Sequence, residues 1–406
     1  MRTLALALTS AFLATSALTV PAFAQDRPPV VTAILHTFES QMRGSASIGN
    51  ITDDGAGNII VSNMSFEAPA AGTDPAVKFT VGEMALNGVS DKGSGLFEIS
   101  NATFKGMKVD VSDPSGATMP VSVAIDVPEG RTEGWYVLAL GDNPSALDQF
   151  RASMSVARKT EFGKMTMTVN GVTVTADGYS STWDGDPNTG SGMFDARFSN
   201  LVIPESAIAM LDTAGQLKQL GYTDIRIDLS GKGKLDVTPE ALSFDMSGAY
   251  DMKDMGSLQF SAAASNVPMA AVGELQNAGK AGREPDFNAM MPQLMGVTLS
   301  SVKLRFEDAS ITKRVLPMIA AMQGMDEATM VASAGAMAQL GLAQLKNQAF
   351  TDQTVAAINA FMKDPRSLTV SLKPAAPVTV QEMMGFNPQD PGAAITQLGV
   401  SVSAND

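Results

Sequence analysis

The chain has no cysteine and a single histidine, His36. Disulfides, thiolate nucleophiles and zinc sites built on paired cysteines or histidines are therefore out of reach. Any Ser-His-Asp relay would have to run through His36, which falls off the apolar stripe of its segment and reads as a solvated surface residue. Walker loops and G-x-G-x-x-G are missing as well. Ser310-Ile-Thr-Lys313 and Ser300-Ser-Val-Lys303 both fit S-x-x-K, but no K-T-G accompanies them, and two matches in one chain show how undemanding the pattern is. Two tryptophans are few for stacking sugar rings, and among 42 acidic residues no carboxylate pair stands out as glycosidase machinery. The expectation is a protein that is not an enzyme and carries no cofactor.

Positive charge is also scarce, with 28 Lys and Arg against 42 Asp and Glu. Such a surface is a poor partner for nucleic acid and for anionic lipid headgroups. Long uninterrupted apolar runs are missing too. Residues 328–345 contain no charge, but they include Ser333, Gln339, Gln344 and two glycines, so the segment reads as a buried helix rather than a membrane span.

What is present begins with an address. Arg2 is the only charge in the first 24 residues, Leu4 to Leu18 form a short apolar region, and Pro21 precedes Ala22-Phe23-Ala24. This pattern predicts a secretory signal peptide over residues 1–24. Cleavage would leave a chain starting at Gln25 with no transmembrane anchor and no lipidation cysteine. Loss of Arg2 leaves 27 basic against 42 acidic residues, a net charge of −15. The predicted location is the periplasm, or alternatively the exterior.

Beyond Pro28-Pro29, Val31, Ile34, Leu35, Phe38 and Met42 recur at helical spacing and predict an amphipathic helix over 29–43. From Ile51 to Val127 the period changes to two, as in Val77, Phe79, Val81 and in Val121, Val123, Ile125, Val127, which predicts half-buried antiparallel strands. Asp53-Asp54-Gly55, Asp91-Lys92-Gly93 and Asp113-Pro114-Ser115-Gly116 supply turns. A short helix near 143–156, a hairpin at Asn170-Gly171 and a helix over 204–220 follow. Alternation then returns from Ile225 to Met246, and Gly279 to Pro285 is the linker candidate. Four segments repeat a glycine, an alternating run and a Ser-Asn pair: 57–63, 95–101, 192–200 and 256–266. The last two lead towards Pro204 and Pro268, where Ser-Asn suggests helix capping.

Residues 299–372 hold the longest helical excursion, 312–363, between the alternating runs Val302, Leu304, Phe306 and Leu368, Val370, Leu372. Neither a helix nor a sheet buries its apolar side alone, so this excursion is expected to lie on the sheet. Pro317 would sit near the start of its first helix, which Gly324 would stop, Asp326 and Glu327 would open the second, and Thr351 would cap the third. The fold class is thus α+β: a long, curved, mostly antiparallel meander with helices packed on one face. A β-rich N-terminal half, 25–205, is followed by an α+β half, 206–406, across a soft boundary.

The segments 305–330, 361–378 and 398–405 resemble the C-terminal part of a group of exported bacterial proteins of unassigned function. The Gly-punctuated strands more loosely resemble the sheets of AsmA-like envelope proteins, which implies a link to lipid handling and supplies no functional residues.

Two constellations are candidate sites. Asp184, Asp186, Asn188 and Asp195 fall at positions 1, 3, 5 and 12 of a calcium-type loop, although the glycine is at seven, Asp replaces Glu, and strands flank it. Methionine is abundant, at 26 residues. Thioethers bind Cu(I), but pliant, polarizable Met also suits an apolar lining. Met318, Met322, Met330, Ala334, Met337 and Gly341 would form such a face, accepting lipid or another apolar small molecule. An envelope protein with only protein partners is the alternative function.

Overall fold

The computed structural model describes residues 27–42, 44–70, 75–113, 121–141, 143–154, 156–212, 215–280 and 284–406. The predicted signal peptide, the 114–116 turn and the middle of the 279–285 linker lie outside them. The chain opens with helix α1 (Pro29–Met42), followed by strands β1 (Ser45–Ser47), β2 (Asn50–Asp53), β3 (Ile59–Ala68), β4 (Ala76–Asp91), β5 (Leu96–Asp113) and β6 (Val121–Leu138). Helix α2 (Ala146–Met154) separates these from β7 (Ala157–Phe162), β8 (Met165–Val169), β9 (Val172–Ala176), β10 (Gly178–Asp186) and β11 (Ser191–Pro204). Short helices α3 (Glu205–Leu211) and α4 (Gln216–Gln219) precede β12 (Asp224–Val237), β13 (Ala241–Met252) and β14 (Gly256–Pro268). Next come α5 (Met269–Lys280), α6 (Phe287–Leu294), β15 (Thr298–Asp308), α7 (Ile311–Met322), α8 (Glu327–Ala343) and α9 (Gln348–Lys363). The chain closes with β16 (Ser367–Leu372), β17 (Val378–Thr379), α10 (Val380–Met384), α11 (Pro391–Gln397) and β18 (Val400–Ala404). The fold is α+β, 48% strand and 30% helix, with a long antiparallel sheet.

Two compact units divide the chain. Unit 1 comprises residues up to Asn200 with Asp236–Glu240 and Pro268–Met291, and unit 2 comprises Leu201–Leu235, Ala241–Val267 and Pro292–Asp406. The stretch 268–291, expected in the C-terminal half, thus belongs with unit 1. The single helix expected over 204–220 is two short ones, because Gly215 at φ 65° breaks it.

In unit 1, α1 starts at Pro29, whose missing N–H is no loss in a first turn. It buries Val30, Val31, Ala33, Ile34 and Leu35 and leaves His36 exposed. These side chains meet Ile59 and Val61 of β3, Met84 and Leu86 of β4, Ile99 of β5, and Trp135 and Val137 of β6 in one core.

Strict alternation would carry β3 out of that core halfway along. Instead, Ile59 and Val61 are buried, then Met64 and Phe66. The reset occurs at Asn63, which adopts φ 53° and lies between the pairs Ser62↔Glu83 and Met64↔Val81. Gly106, at φ 63°, sits at the same level of β5, between Lys105↔Glu83 and Met107↔Val81. Six residues away, Gly88 (φ 65°) in β4 and Gly134 (φ 58°) in β6 flank Ser100 of β5 in the same manner. A left-handed residue uses one position without advancing the pleat, so the same face stays inward while the strand bends. The sheet of unit 1 bends at these two levels around α1.

The repeated Ser-Asn segments follow the same logic. Asn63, Asn200 and Asn266 all have positive φ, as does Asn405. The Asn200 segment does not cap a helix: α3 has Pro204 at its N-cap and no side-chain bond there. Asn101 departs from the pattern, and at its level the glycines opposite Ser100 supply the left-handed turn.

In unit 2, β14, β15, β16 and β18 form consecutive antiparallel ladders. Asn405 accepts from the Arg366 and Ser367 amides and donates to the carbonyls of Ala360 and Asp364, fastening the end of α9 to β16.

Gly134 has a left-handed backbone, and a Cβ there would approach the Arg158 side chain to 2.9 Å. Gly134→Val should therefore lower the unfolding free energy by about 2 kcal/mol in urea melts, whereas Asn63→Gly, which keeps the conformation accessible, should change it little.

Candidate functional site

The residues expected to form one apolar face on the helical excursion do not share one environment. Met330 is buried with Leu316 and Ala320, Met318 and Ala334 are half-buried, and Gly341 is exposed. Met322 and Met337 are 72% and 71% exposed. Helix α8 has apolar or small residues on every side, so the 3.6 period could not select its inner face. That face is set by Gly335, against which Asn359 of α9 packs so closely that a Cβ would lie 2.3 Å from its Oδ1. Of the three long helices, α9 lies along β16 and β18, and α8 packs on α9 as a further layer. The excursion therefore lies on the sheet mainly through α9. Asp326 caps α8 as expected, accepting from the Thr329 amide. Asn347, not Thr351, caps α9; the Thr351 hydroxyl is buried in the first turn and donates to the Asn347 carbonyl. Pro317 falls in the middle of α7, further along than expected, and Gly324, at φ 69°, follows its end.

The calcium-type residues are a hairpin end. Asp184 pairs with Met193 and Asp195 with Thr182 across β10 and β11. Asp186 Oδ1 accepts from the Asn188 amide and closes the turn. Among the described residues no group of three His, Cys, Asp or Glu side chains is arranged to hold a metal ion. Of the S-x-x-K serines, Ser310 has its hydroxyl committed. Ser310 Oγ donates to the Asp254 carbonyl and bonds the Tyr222 hydroxyl, and Ser300 sits at a register shift of β15.

The unusual surface of unit 2 is on its strands. No residue of β13 or β15 is buried, whereas β3 in unit 1 buries Ile59, Val61, Met64 and Phe66. Register places Phe260 opposite Leu304, Leu304 opposite Val370, and Val370 opposite Val402. The Tyr250 ring lies 6.0 Å from that of Phe260, extending this apolar row to β13. Tyr250, Phe260, Leu304 and Val370 are 46%, 41%, 46% and 43% exposed. Val302 lies beside the row on the same face. Helix α9 reaches this face at one edge, through an edge-to-face contact of Phe361 with Phe306.

The opposite face is polar and more enclosed. Thr369 is 5% exposed although its neighbour Val370 is 43% exposed. Arg305 donates to Glu307 and Thr369 and binds Asp406 through both Nη groups. Ser403 donates to the other Asp406 carboxylate oxygen. The Ser403 bond, with the Arg305 guanidinium behind it, holds the Asp406 carboxyl down to about 2. These bonds tie β15, β16 and β18 together on the polar side and leave the apolar side unsealed. Periodicity flagged Val302, Leu304, Phe306 and Val370, but nothing in it shows whether an apolar face is covered; Tyr250 and Phe260 were missed because a lone aromatic in an alternating run looks like core.

This geometry defines an α+β protein whose second unit presents an open apolar sheet. A family described as "Uncharacterized protein" matches residues 249–405, from the last part of β13 to the asparagine that fastens α9. No curated protein matches the chain. The likeness to AsmA-like proteins gains no support from these comparisons. None of the described helices is long and apolar enough to cross a membrane.

Because the folded carboxyl of Asp406 titrates below its ordinary range, its bonds stabilise the protein above that range and are lost as the pH falls through about 2. Wild-type protein should lose stability between pH 4 and pH 2 more steeply than Asp406→Asn, measured as the urea midpoint at each pH.

Proposed function

We propose that this is an exported, non-enzymatic envelope protein, working in the periplasm, that binds the hydrocarbon part of a lipid on the open sheet of unit 2. The observation that carries the reading is the row Tyr250, Phe260, Leu304, Val370, which crosses four strands in water. Contiguous exposed apolar surface on this scale is characteristic of ligand grooves and docking sites. Four strands at roughly 4.8 Å spacing give a row of about 14 Å, close to half the ~30 Å hydrocarbon thickness of a bilayer, so one acyl chain would fill it. The absence of charged side chains along the row favours the chain portion of the lipid over its headgroup. The expected calcium site and the methionine face on α7 and α8 form no part of this reading.

Protein purified from its own periplasm should carry stoichiometric phospholipid or fatty acid by native mass spectrometry and lipid extraction. Phe260→Asp and Leu304→Asp should abolish uptake of a fluorescent acyl probe, while Lys303→Ser, on the polar face, should not. Repeated recovery of lipid-free wild-type protein that also ignores the probe would replace this reading with an assembly protein whose partners are proteins.

A further inference from the structure

In unit 1 the cover that α1 provides is incomplete beside the end of β6. A cavity of about 110 Å³ lies where α1 and α2 meet the end of β6. Its apolar walls are Ile34, Phe38, Trp135, Val137, Leu138 and Ala152. The two lining residues with hydroxyls have committed them: Thr37 Oγ1 donates to the Ala33 carbonyl at 2.9 Å, and the Tyr136 hydroxyl donates to Glu98 and accepts from Arg158. Well-packed interiors contain few voids of this size. A water molecule placed here would lack the two to four polar partners it needs, and dry cavities of roughly 150 Å³ accept a benzene ring.

We propose that this cavity is a binding site for a compact, uncharged hydrocarbon group, either one small aromatic ring or the branched or methyl end of an alkyl chain. The proposal is independent of the open sheet in unit 2. Phe38 and Thr37 are only half-buried, which puts the way in at the last turns of α1. Phe38 stacks on Phe79 with ring centroids 5.4 Å apart, so the aromatic wall on that side is held in place. With both lining hydroxyls already bonded, the site selects chiefly for size and apolarity.

The chain has two tryptophans, so Trp183→Phe leaves Trp135, in the cavity wall, as the only indole reporter. The probes are toluene, a free ring, and stearate brominated near its methyl end, a chain terminus. Millimolar toluene should shift Trp135 emission and raise the melting temperature by roughly 3 °C. The brominated chain should quench Trp135 if the cavity takes chain ends. Either response supports the site and identifies which source of hydrocarbon it accepts. Ala152→Leu, which places an isobutyl group in the cavity, should remove the responses. Should that variant fail to fold, Leu138→Ala enlarges the same cavity and should bind toluene several-fold more tightly. Absence of both responses in Trp183→Phe, responses that persist undiminished in folded Ala152→Leu, or no gain in Leu138→Ala would overturn the proposal. Phe260→Asp, which removes the apolar row of unit 2, should leave the toluene response intact, so failure here and failure of the lipid reading are separate results.

Discussion

Strands of 16 and 18 residues, as in β4, β5 and β6, impose the constraint on which unit 1 depends. A straight 18-residue strand would extend about 60 Å, far beyond what one 14-residue helix can cover. The strands are kept against α1 by left-handed residues that interrupt the pleat at matching levels, Asn63 with Gly106, then Gly88 with Gly134. Each interruption lets the inward face resume one residue later. Without them, half of every strand would turn its apolar side to water. Glycine and asparagine are found there because other residues pay steric strain at positive φ.

The two units treat the apolar side of a sheet differently. In unit 1 a helix covers it, with a small cavity beside the end of β6. In unit 2 the helical excursion stands largely on itself: α9 touches the sheet, α8 packs on α9, and the row from Tyr250 to Val370 stays open. Bonding on the polar side compensates for the missing cover. Arg305, Thr369, Ser403 and Asp406 cross-link three strands, so the ladder is held without a packed layer above it. That division of labour leaves a surface free for a ligand.

The excess of acidic residues does not concentrate into a site. Many of the basic residues are paired across strands on the solvent face of unit 1, as in Lys78 with Glu67, Lys105 with Glu83 and Arg131 with Glu161. Exposed pairs of this kind contribute little to stability. Their use is to favour one register over its neighbours, since a slip of one residue would set each charge opposite an uncharged residue and lose the pair.

The sequence by itself determined the α+β class, the change of period from α1 to the strands, the apolar stripe of Val31, Ile34 and Leu35, and the helix start at Asp326, because each of these is a local pattern of spacing or capping. It also showed the Gly and Ser-Asn punctuation, without showing that the asparagines turn the strands rather than start helices. Only the tertiary structure decided which side of α8 faces inward, since its apolar residues surround the helix and the choice rests on a distant partner, Asn359 against Gly335. It alone decided that Phe260 and Leu304 face water while Ile59 and Val61 do not, because the two pairs alternate identically along their strands and differ only in what the rest of the chain lays over them.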